Sequence, residues 1–211
     1  MKTVKGNKLL EITKEELDQL KSKYARVELD LGTGDGRFVY KRALAMPTTL
    51  YIGVDPAAKQ MEEFSKKAVK NHVDNVIYVI GSVEILPQEL IGAADYLTVI
   101  LPWGSLLEAI ANVNITKVNN LRSLMKPDAG FTFILGYSEE LEKGETKRLQ
   151  LPELNEVYIK TQLIPQLQVL GFSDAQAGIL NKSELADLDS TWGKRIKATR
   201  NRILFKIDKA L

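Results

Sequence analysis

The segment from Val27 to Asp55 constrains this chain more than any other. An apolar run, Val27-Glu28-Leu29-Asp30-Leu31, leads into Gly32-Thr33-Gly34-Asp35-Gly36, and a second run, Leu50-Tyr51-Ile52-Gly53-Val54, is closed by Asp55. The first run reads as a buried parallel strand. Three glycines at alternate positions after it let the backbone turn sharply and approach a ligand with no Cβ in the way. A carboxylate at the end of the next strand can accept both hydroxyls of a ribose. The segment predicts an α/β fold holding a nucleoside cofactor at its strand ends.

The glycine spacing selects among such cofactors. A dinucleotide fingerprint, G-x-G-x-x-G, would need its third glycine at Arg37. This loop is G-x-G-x-G with an acid two residues before it. Asp30 and Asp35 would repel a pyrophosphate and attract a sulfonium and an ammonium group. The methionine carboxylate can use backbone N–H groups near the following helix N-terminus. S-adenosylmethionine is therefore the expected cofactor, although a glycine-rich turn between strand and helix also occurs with no ligand at all.

A length of 211 residues suits a single domain, 1–211, with no linker. There is no cysteine and one histidine, His72. That leaves nothing for a disulfide, a thiolate metal site or a cysteine nucleophile, and almost nothing for a Ser-His-Asp triad or a multi-histidine site. No metal is expected, and His72, beside a basic helix end, reads as solvated. Met1 to Ile12 is too polar for a signal peptide, and no apolar stretch approaches a membrane span. The expectation is a soluble cytoplasmic monomer without a membrane partner.

Charge is unevenly placed. The last twenty residues hold Lys194, Arg195, Lys197, Arg200, Arg202, Lys206 and Lys209 against one acid, Asp208, whereas the rest of the chain is net acidic. Lys66, Lys67 and Lys70 can share one helix edge. Such clusters are often only solvated faces. Two of them in a cofactor-binding chain point to a polyanion, and nucleic acid is the natural one.

Strands and helices alternate along the chain, the pattern of a doubly wound sheet. Strands are predicted at 26–31, 50–54, 76–80, 94–101, 130–136, 172–179 and 202–207, and helices at 36–46, 57–70, 105–111, 117–125 and 154–170. Residues 1–25 form an extension: a hairpin around Gly6-Asn7, then a helix started by the capping box Thr13-Lys14-Glu15-Glu16. Seven strands ending in a hairpin give a class I, Rossmann-like methyltransferase layout with a mostly parallel sheet. Two polar insertions, 137–152 and 181–201, follow strand ends. Ligands of open α/β sheets bind beyond the carboxyl ends of the strands, so these insertions are expected on the substrate side.

Two tryptophans carry the second signal. The strand from Asp95 to Leu101 runs into Pro102-Trp103-Gly104-Ser105, and a strand end there is expected beside the glycine loop, with Trp103 toward the transferable methyl. Amino-directed base methyltransferases place Asn or Asp, then Pro-Pro and an aromatic, at this strand end. Leu101 stands where that side-chain oxygen would be, which favours an acceptor such as a ring nitrogen with no proton to hold. Trp192 lies in the basic second insertion, where it either packs on the sheet edge or stacks on a ligand. Together the indoles suggest a clamp for a base extruded from RNA. Alkylation at N1 makes adenine cationic, and flanking π faces stabilise that charge. Methyl transfer then needs alignment more than a general base.

Asp30-Leu31-Gly32-Thr33-Gly34-Asp35-Gly36-Arg37, Tyr51-Ile52-Gly53-Val54-Asp55-Pro56, Pro102-Trp103-Gly104 and Ser190-Thr191-Trp192-Gly193-Lys194-Arg195 together resemble the Kam-type aminoglycoside-resistance methyltransferases. That family modifies N1 of adenine 1408 in 16S rRNA of the 30S subunit. The resemblance runs from the hairpin to the final strand. It implies that Asp30, Gly32, Gly34, Asp55, Pro56 and the turn Ser82-Val83-Glu84 line S-adenosylmethionine, with Ser105 and Ser190 near its methionine end. It implies that Trp103 and Trp192 sandwich the flipped adenine. Lys66, Lys67, Lys70, Arg195, Arg200 and Arg202 would hold rRNA phosphates, with Glu145 and Arg148 in a mobile insertion near the flipped nucleotide. Two departures stand out: Ser105 replaces a common Thr, and the loop at 71–75 is short. Two other readings stay open: a tRNA methyltransferase of the guanine-N7 type, whose Pro-Trp is usually followed by a basic run rather than Gly104-Ser105-Leu106-Leu107, and a non-catalytic RNA-binding protein on the same fold.

Overall fold

The structure is a computed structural model, and it describes residues 1–180 and 203–209. The chain forms two compact units, one of Met1–Thr98 with Leu124–Ala129 and one of Val99–Ser123 with Gly130–Leu211.

The first unit contains β1 (Lys2–Lys5), β2 (Lys8–Glu11), α1 (Lys14–Lys21), β3 (Arg26–Leu31), α2 (Arg37–Ala45), β4 (Thr49–Asp55), α3 (Ala58–Lys70), β5 (Val76–Ile80) and most of β6 (Ala94–Ile100). Its strands lie in the order β2-β1-β5-β4-β3-β6. β3 pairs in parallel with β4 and β6, and β4 pairs in parallel with β5. Every residue of β4 is buried, as expected of a central parallel strand covered on both faces. Val39, Tyr40 and Ala43 of α2 meet Met61, Phe64 and Ala68 of α3 over Tyr51 and Tyr78 of the sheet. Buried Asn75 donates to the carbonyls of Ala43, Met46 and Thr49 at 2.9, 3.1 and 2.9 Å, tying the end of α2 to the start of β4.

The predicted capping box forms as read: the Thr13 side chain accepts from Glu16 N–H, and Glu16 accepts from Thr13 N–H. The hairpin, expected as an appendage, is part of the sheet. β1 pairs antiparallel with β5, Thr3 opposite Val79 and Val4 opposite Tyr78, and so covers what would be an open edge.

The second unit contains α4 (Gly104–Ala111), α5 (Ile115–Ser123), the later part of β7 (Met125–Leu135), α6 (Glu139–Arg148), the three-part helix α7 (Glu156–Tyr158, Ile159–Leu163, Ile164–Val169), β8 (Ala175–Ile179) and β9 (Phe205–Lys209). β9 pairs antiparallel with both β7 and β8, the terminal hairpin the alternation predicted. Phe131, Phe133 and Phe172 form its aromatic centre, with ring centroids 5.0 to 5.2 Å apart. Tyr158 Oη donates to the Ala111 carbonyl at 2.6 Å, and Asn112 donates to the Leu149 carbonyl at 3.0 Å, so α4 is tied to both α7 and the segment after α6.

Three boundaries differ from the sequence expectation, each for a local reason. β7 starts at Met125, where a helix was expected to continue, because the Leu124 carbonyl accepts from Ala94 N–H and Lys126 pairs with Asp95 at 2.7 Å. The insertion 137–152 holds α6, capped by Ser138 Oγ accepting from Leu141 N–H. Finally, α7 passes through a π turn at Ile159–Leu163 just before Pro165, which brings no N–H to the ladder. Insertion 181–201 lies outside the described residues.

Candidate active site

Of the cofactor residues read from the sequence, Asp30, Gly32, Gly34, Asp55 and Pro56 gather at the carboxyl ends of β3 and β4. Parallel register sets Asp30 against Gly53 and Leu31 against Val54, so Asp55 ends its strand just beyond the start of the glycine loop. Gly32, Gly34 and Gly36 all have positive φ, at 79°, 60° and 78°. The reasons for two of them differ. A Cβ on Gly36 would lie 2.3 Å from buried Tyr78, so this glycine answers to packing. A Cβ on Gly34 would meet nothing within 4 Å, so the backbone there borders open space that a ligand can enter.

Asp55 is 9% exposed, and its two oxygens are held separately: Gly34 N–H donates to Oδ2 at 2.9 Å and Ala57 N–H to Oδ1 at 2.8 Å. Burial raises its pKa, and these two N–H bonds hold it back. Each oxygen keeps a free lone pair, the acceptor pattern that two vicinal ribose hydroxyls require. Pro56, next in the chain, is exposed.

Asp30 is 4% exposed, and its Oδ1 accepts from the Thr98 hydroxyl at 2.7 Å. Burial pushes its pKa up to about 6, opposed by Thr98 and Thr33 and reinforced by the charge of Asp55. The Thr33 hydroxyl beside it is buried without a hydrogen bond of ordinary geometry. A carboxylate so poorly solvated gains from a cationic ligand, which fits the ammonium and sulfonium of S-adenosylmethionine. Thr98 was not foreseen as part of this site; a lone hydroxyl in the apolar strand Leu97 to Ile100 was the available signal.

The turn after β5 completes this cradle. Gly81 N–H donates to the Asp55 carbonyl at 3.3 Å, and Ser82 and Ile85 exchange backbone hydrogen bonds at 3.1 Å each. Val83 is buried and Glu84 exposed, so the turn presents Glu84 and its own backbone. The four segments therefore fit the cofactor expected of them.

In the second unit, the chain leaves β6 through a strained residue. Leu101 has φ +49°, a conformation that non-glycine residues enter at a cost of about 1–3 kcal/mol and that clusters at functional sites. Its side chain packs with Ile134, Leu180 and Leu204, in place of the oxygen found at this strand end in amino-directed enzymes. Pro102 is buried, and Trp103 stands 43% exposed at the N-cap of α4. Ser105, in the first turn of α4, is exposed.

Glu145 and Arg148, expected in a mobile insertion, lie on α6. Arg148 Nε and Nη2 reach Glu145 Oε2 and Oε1 at 2.8 and 2.6 Å. Arg148 is the larger reason that the Glu145 pKa is lowered. α4 has no side-chain cap hydrogen bond, and its start at Gly104 adds a smaller lowering of the Glu145 pKa. As the structure stands, both carboxylate oxygens are engaged by Arg148 on the same helix.

Lys66, Lys67 and Lys70 are exposed along α3. Lys66 pairs with Glu62 at 2.9 Å and Lys67 with Glu63 at 2.7 Å, surface pairs weak enough to yield to phosphate. Ser190, Trp192, Arg195, Arg200 and Arg202 fall outside the described residues. Among the described residues no three His, Cys, Asp or Glu side chains cluster to hold a metal, and no helix is long and apolar enough to cross a membrane. His72 is exposed, as read.

A G-x-G-x-G turn and a strand-ending carboxylate on a mostly parallel α/β sheet fit the class I methyltransferases. The family model for NpmA, 16S rRNA (adenine(1408)-N(1))-methyltransferase, matches residues 2–211, and the chain belongs to that family. A 16S rRNA (adenine(1408)-N(1))-methyltransferase from Escherichia coli is 35% identical over 212 residues, covering 98% of this chain and 97% of its own. The crystal structure of a 30S ribosomal A1408 methyltransferase from an uncultured bacterium is 41% identical, with a TM-score of 0.78 and 100% of both chains covered. A variant of the enzyme from Catenulisporales acidiphilia, solved with cosubstrate SAM, is 29% identical, with a TM-score of 0.87, and covers 99% of this chain and 95% of its own.

Proposed function

We infer that this chain transfers a methyl group from S-adenosylmethionine to N1 of adenine 1408 in the 16S rRNA of the 30S subunit, and that the product confers aminoglycoside resistance. The single observation that carries the reading is the Asp55 and Gly34 cradle in a chain that matches the A1408 family from end to end. When bound, S-adenosylmethionine supplies an electrophilic methyl on a sulfonium. Asp55 binds the ribose hydroxyls, Asp30 answers the positive charge of the methionine portion, and the turn at Ser82-Val83-Glu84 borders the adenine of the cofactor. Pro56 borders the cofactor beside Asp55, and Ser105 and Ser190 serve the methionine end.

The target base is held by two indoles, Trp103 and Trp192, whose faces stabilise the positive charge that N1 acquires on alkylation. N1 of adenine already exposes a lone pair, so no residue need remove a proton before attack. The chain's part in catalysis is alignment, which agrees with a sequence that has one histidine, exposed on the surface. Lys66, Lys67, Lys70, Arg195, Arg200 and Arg202 bind rRNA phosphates. The protein acts in the cytoplasm as a monomer without a metal ion.

Transfer of labelled methyl groups from S-adenosylmethionine tests the reading. Incorporation into intact 30S subunits and not into tRNA is expected; incorporation into tRNA alone would replace this reading with the tRNA one.

A further inference from the structure

Lys5 and Lys8 stand directly opposite each other at the closed end of the N-terminal hairpin, on either side of the two-residue turn Gly6-Asn7. Like charges placed across a strand pair destabilise it. Lys14, Lys21, Lys66 and Lys67 of this unit reach carboxylates at 2.6 to 2.9 Å, and Lys2, Lys23, Lys59 and Lys70, which do not, stand opposite no other lysine in a strand pair. Lys5 and Lys8 are exposed, and among the described residues neither has such a partner. The fold therefore carries an electrostatic cost at this tip with no structural return.

The tip is also rigid. Gly6 N–H donates to Ser65 Oγ at 2.8 Å, and Ser65 Oγ donates to the Val4 carbonyl at 2.9 Å. Ser65, on α3, is 2% exposed, so the two bonds are shielded from water. Gly6 takes the first central position of the turn with φ +68°, which a side chain would resist. The hairpin is thereby fastened to α3 one residue before Lys66. Fixed cations of this kind match the closely spaced anions of a nucleic-acid backbone, where neutralising each phosphate releases counterions.

We propose that the hairpin tip, through Lys5 and Lys8, is a phosphate-binding element that grips the substrate RNA beside α3. This rests on 30S RNA being the substrate. The tip reads charge and not sequence, so it sets affinity and leaves the chemical step alone.

The test compares the full chain with its Lys5→Gln/Lys8→Gln variant on 30S subunits across a salt series. The variant should show KM for 30S raised about tenfold near 0.1 M salt, and a log-affinity against log-salt slope smaller by about 1.5, as for two lost phosphate contacts. Its kcat should stay within twofold, its affinity for S-adenosylmethionine should be that of the parent, and its melting temperature should be no lower. Lys2→Gln, at the far end of the hairpin opposite Glu11, should leave KM unchanged. A double variant with the parent's KM and salt slope, on 30S that the parent methylates, overturns this proposal and spares the substrate reading. A parent that neither binds nor methylates 30S overturns both.

Discussion

Gly34 donates its N–H to Asp55 Oδ2 at 2.9 Å, so the residue that ends β4 also holds the glycine loop in shape. Asp55→Ala removes the loop's anchor and, with it, the ribose acceptor proposed above. Two hydrogen bonds to a charged group are worth about 3–6 kcal/mol, so titration calorimetry should find cofactor affinity lowered at least a hundredfold. Parent-like affinity would remove Asp55 from the ribose.

The same loop separates two glycine substitutions. Gly36→Ala forces a Cβ to within 2.3 Å of Tyr78 and should cost about 2–4 kcal/mol of stability in urea unfolding. Gly34→Ala meets no protein atom within 4 Å and should cost only about 1 kcal/mol, from its positive φ, while cofactor affinity falls at least tenfold. Equal stability losses for the two variants would contradict the distinct roles assigned to them.

Much of this was legible in the sequence because it lies in backbone geometry. Alternating glycines after an apolar run, and an acid ending the next run, fix the cradle through local chain turns alone. The Asp30 and Thr98 bond was not legible, because its partners are 68 positions apart and meet only through parallel pairing of β3 with β6. Helix α6 was missed although Ser138, the acids of its first turn and Lys147 and Arg148 of its last were all visible; its polar composition read as loop. The early start of β7 depends on Asp95 finding Lys126, which periodicity cannot anticipate.

Asp30 gives a pH signature. Its folded pKa of about 6 lies above the ordinary 3.8, so the native state holds a proton that the unfolded chain releases between those values. Stability contributed by this group is present below pH 4 and is lost as pH rises through 6. At pH 7.5 the ionised group costs on the order of 3 kcal/mol. Asp30→Asn should therefore be about 2–3 kcal/mol more stable than the parent at pH 7.5, with the gap closing below pH 5, and should bind the cofactor more weakly. Urea unfolding at both pH values checks this; a pH-independent difference would contradict the burial of a charged Asp30.

Glu145 holds Arg148 on α6, and Gly104, the residue after Trp103, helps to lower its pKa. Glu145→Ala frees Arg148 and removes a negative charge near the start of α4, so single-turnover methylation of 30S should slow about tenfold or more with cofactor affinity unchanged. Glu145→Gln keeps the shape and removes the charge that holds Arg148, and should slow the reaction by a similar amount. Full recovery in the Gln variant would show that side-chain shape, and not the charge, carries the role.

Trp103→Ala should change stability by no more than about 1–2 kcal/mol, since the side chain is 43% exposed, yet lower methylation of 30S about a hundredfold with parent-like cofactor binding. Retained methylation would exclude this indole from the base clamp.

Primer extension on 30S subunits treated with the protein and S-adenosylmethionine tests the central claim most directly, because a methyl on N1 of adenine blocks base pairing. A new stop at adenine 1408, absent without cofactor and absent with Asp55→Ala, is the predicted result. Methylated 30S with no stop there, or no methylation of 30S at all, would contradict it.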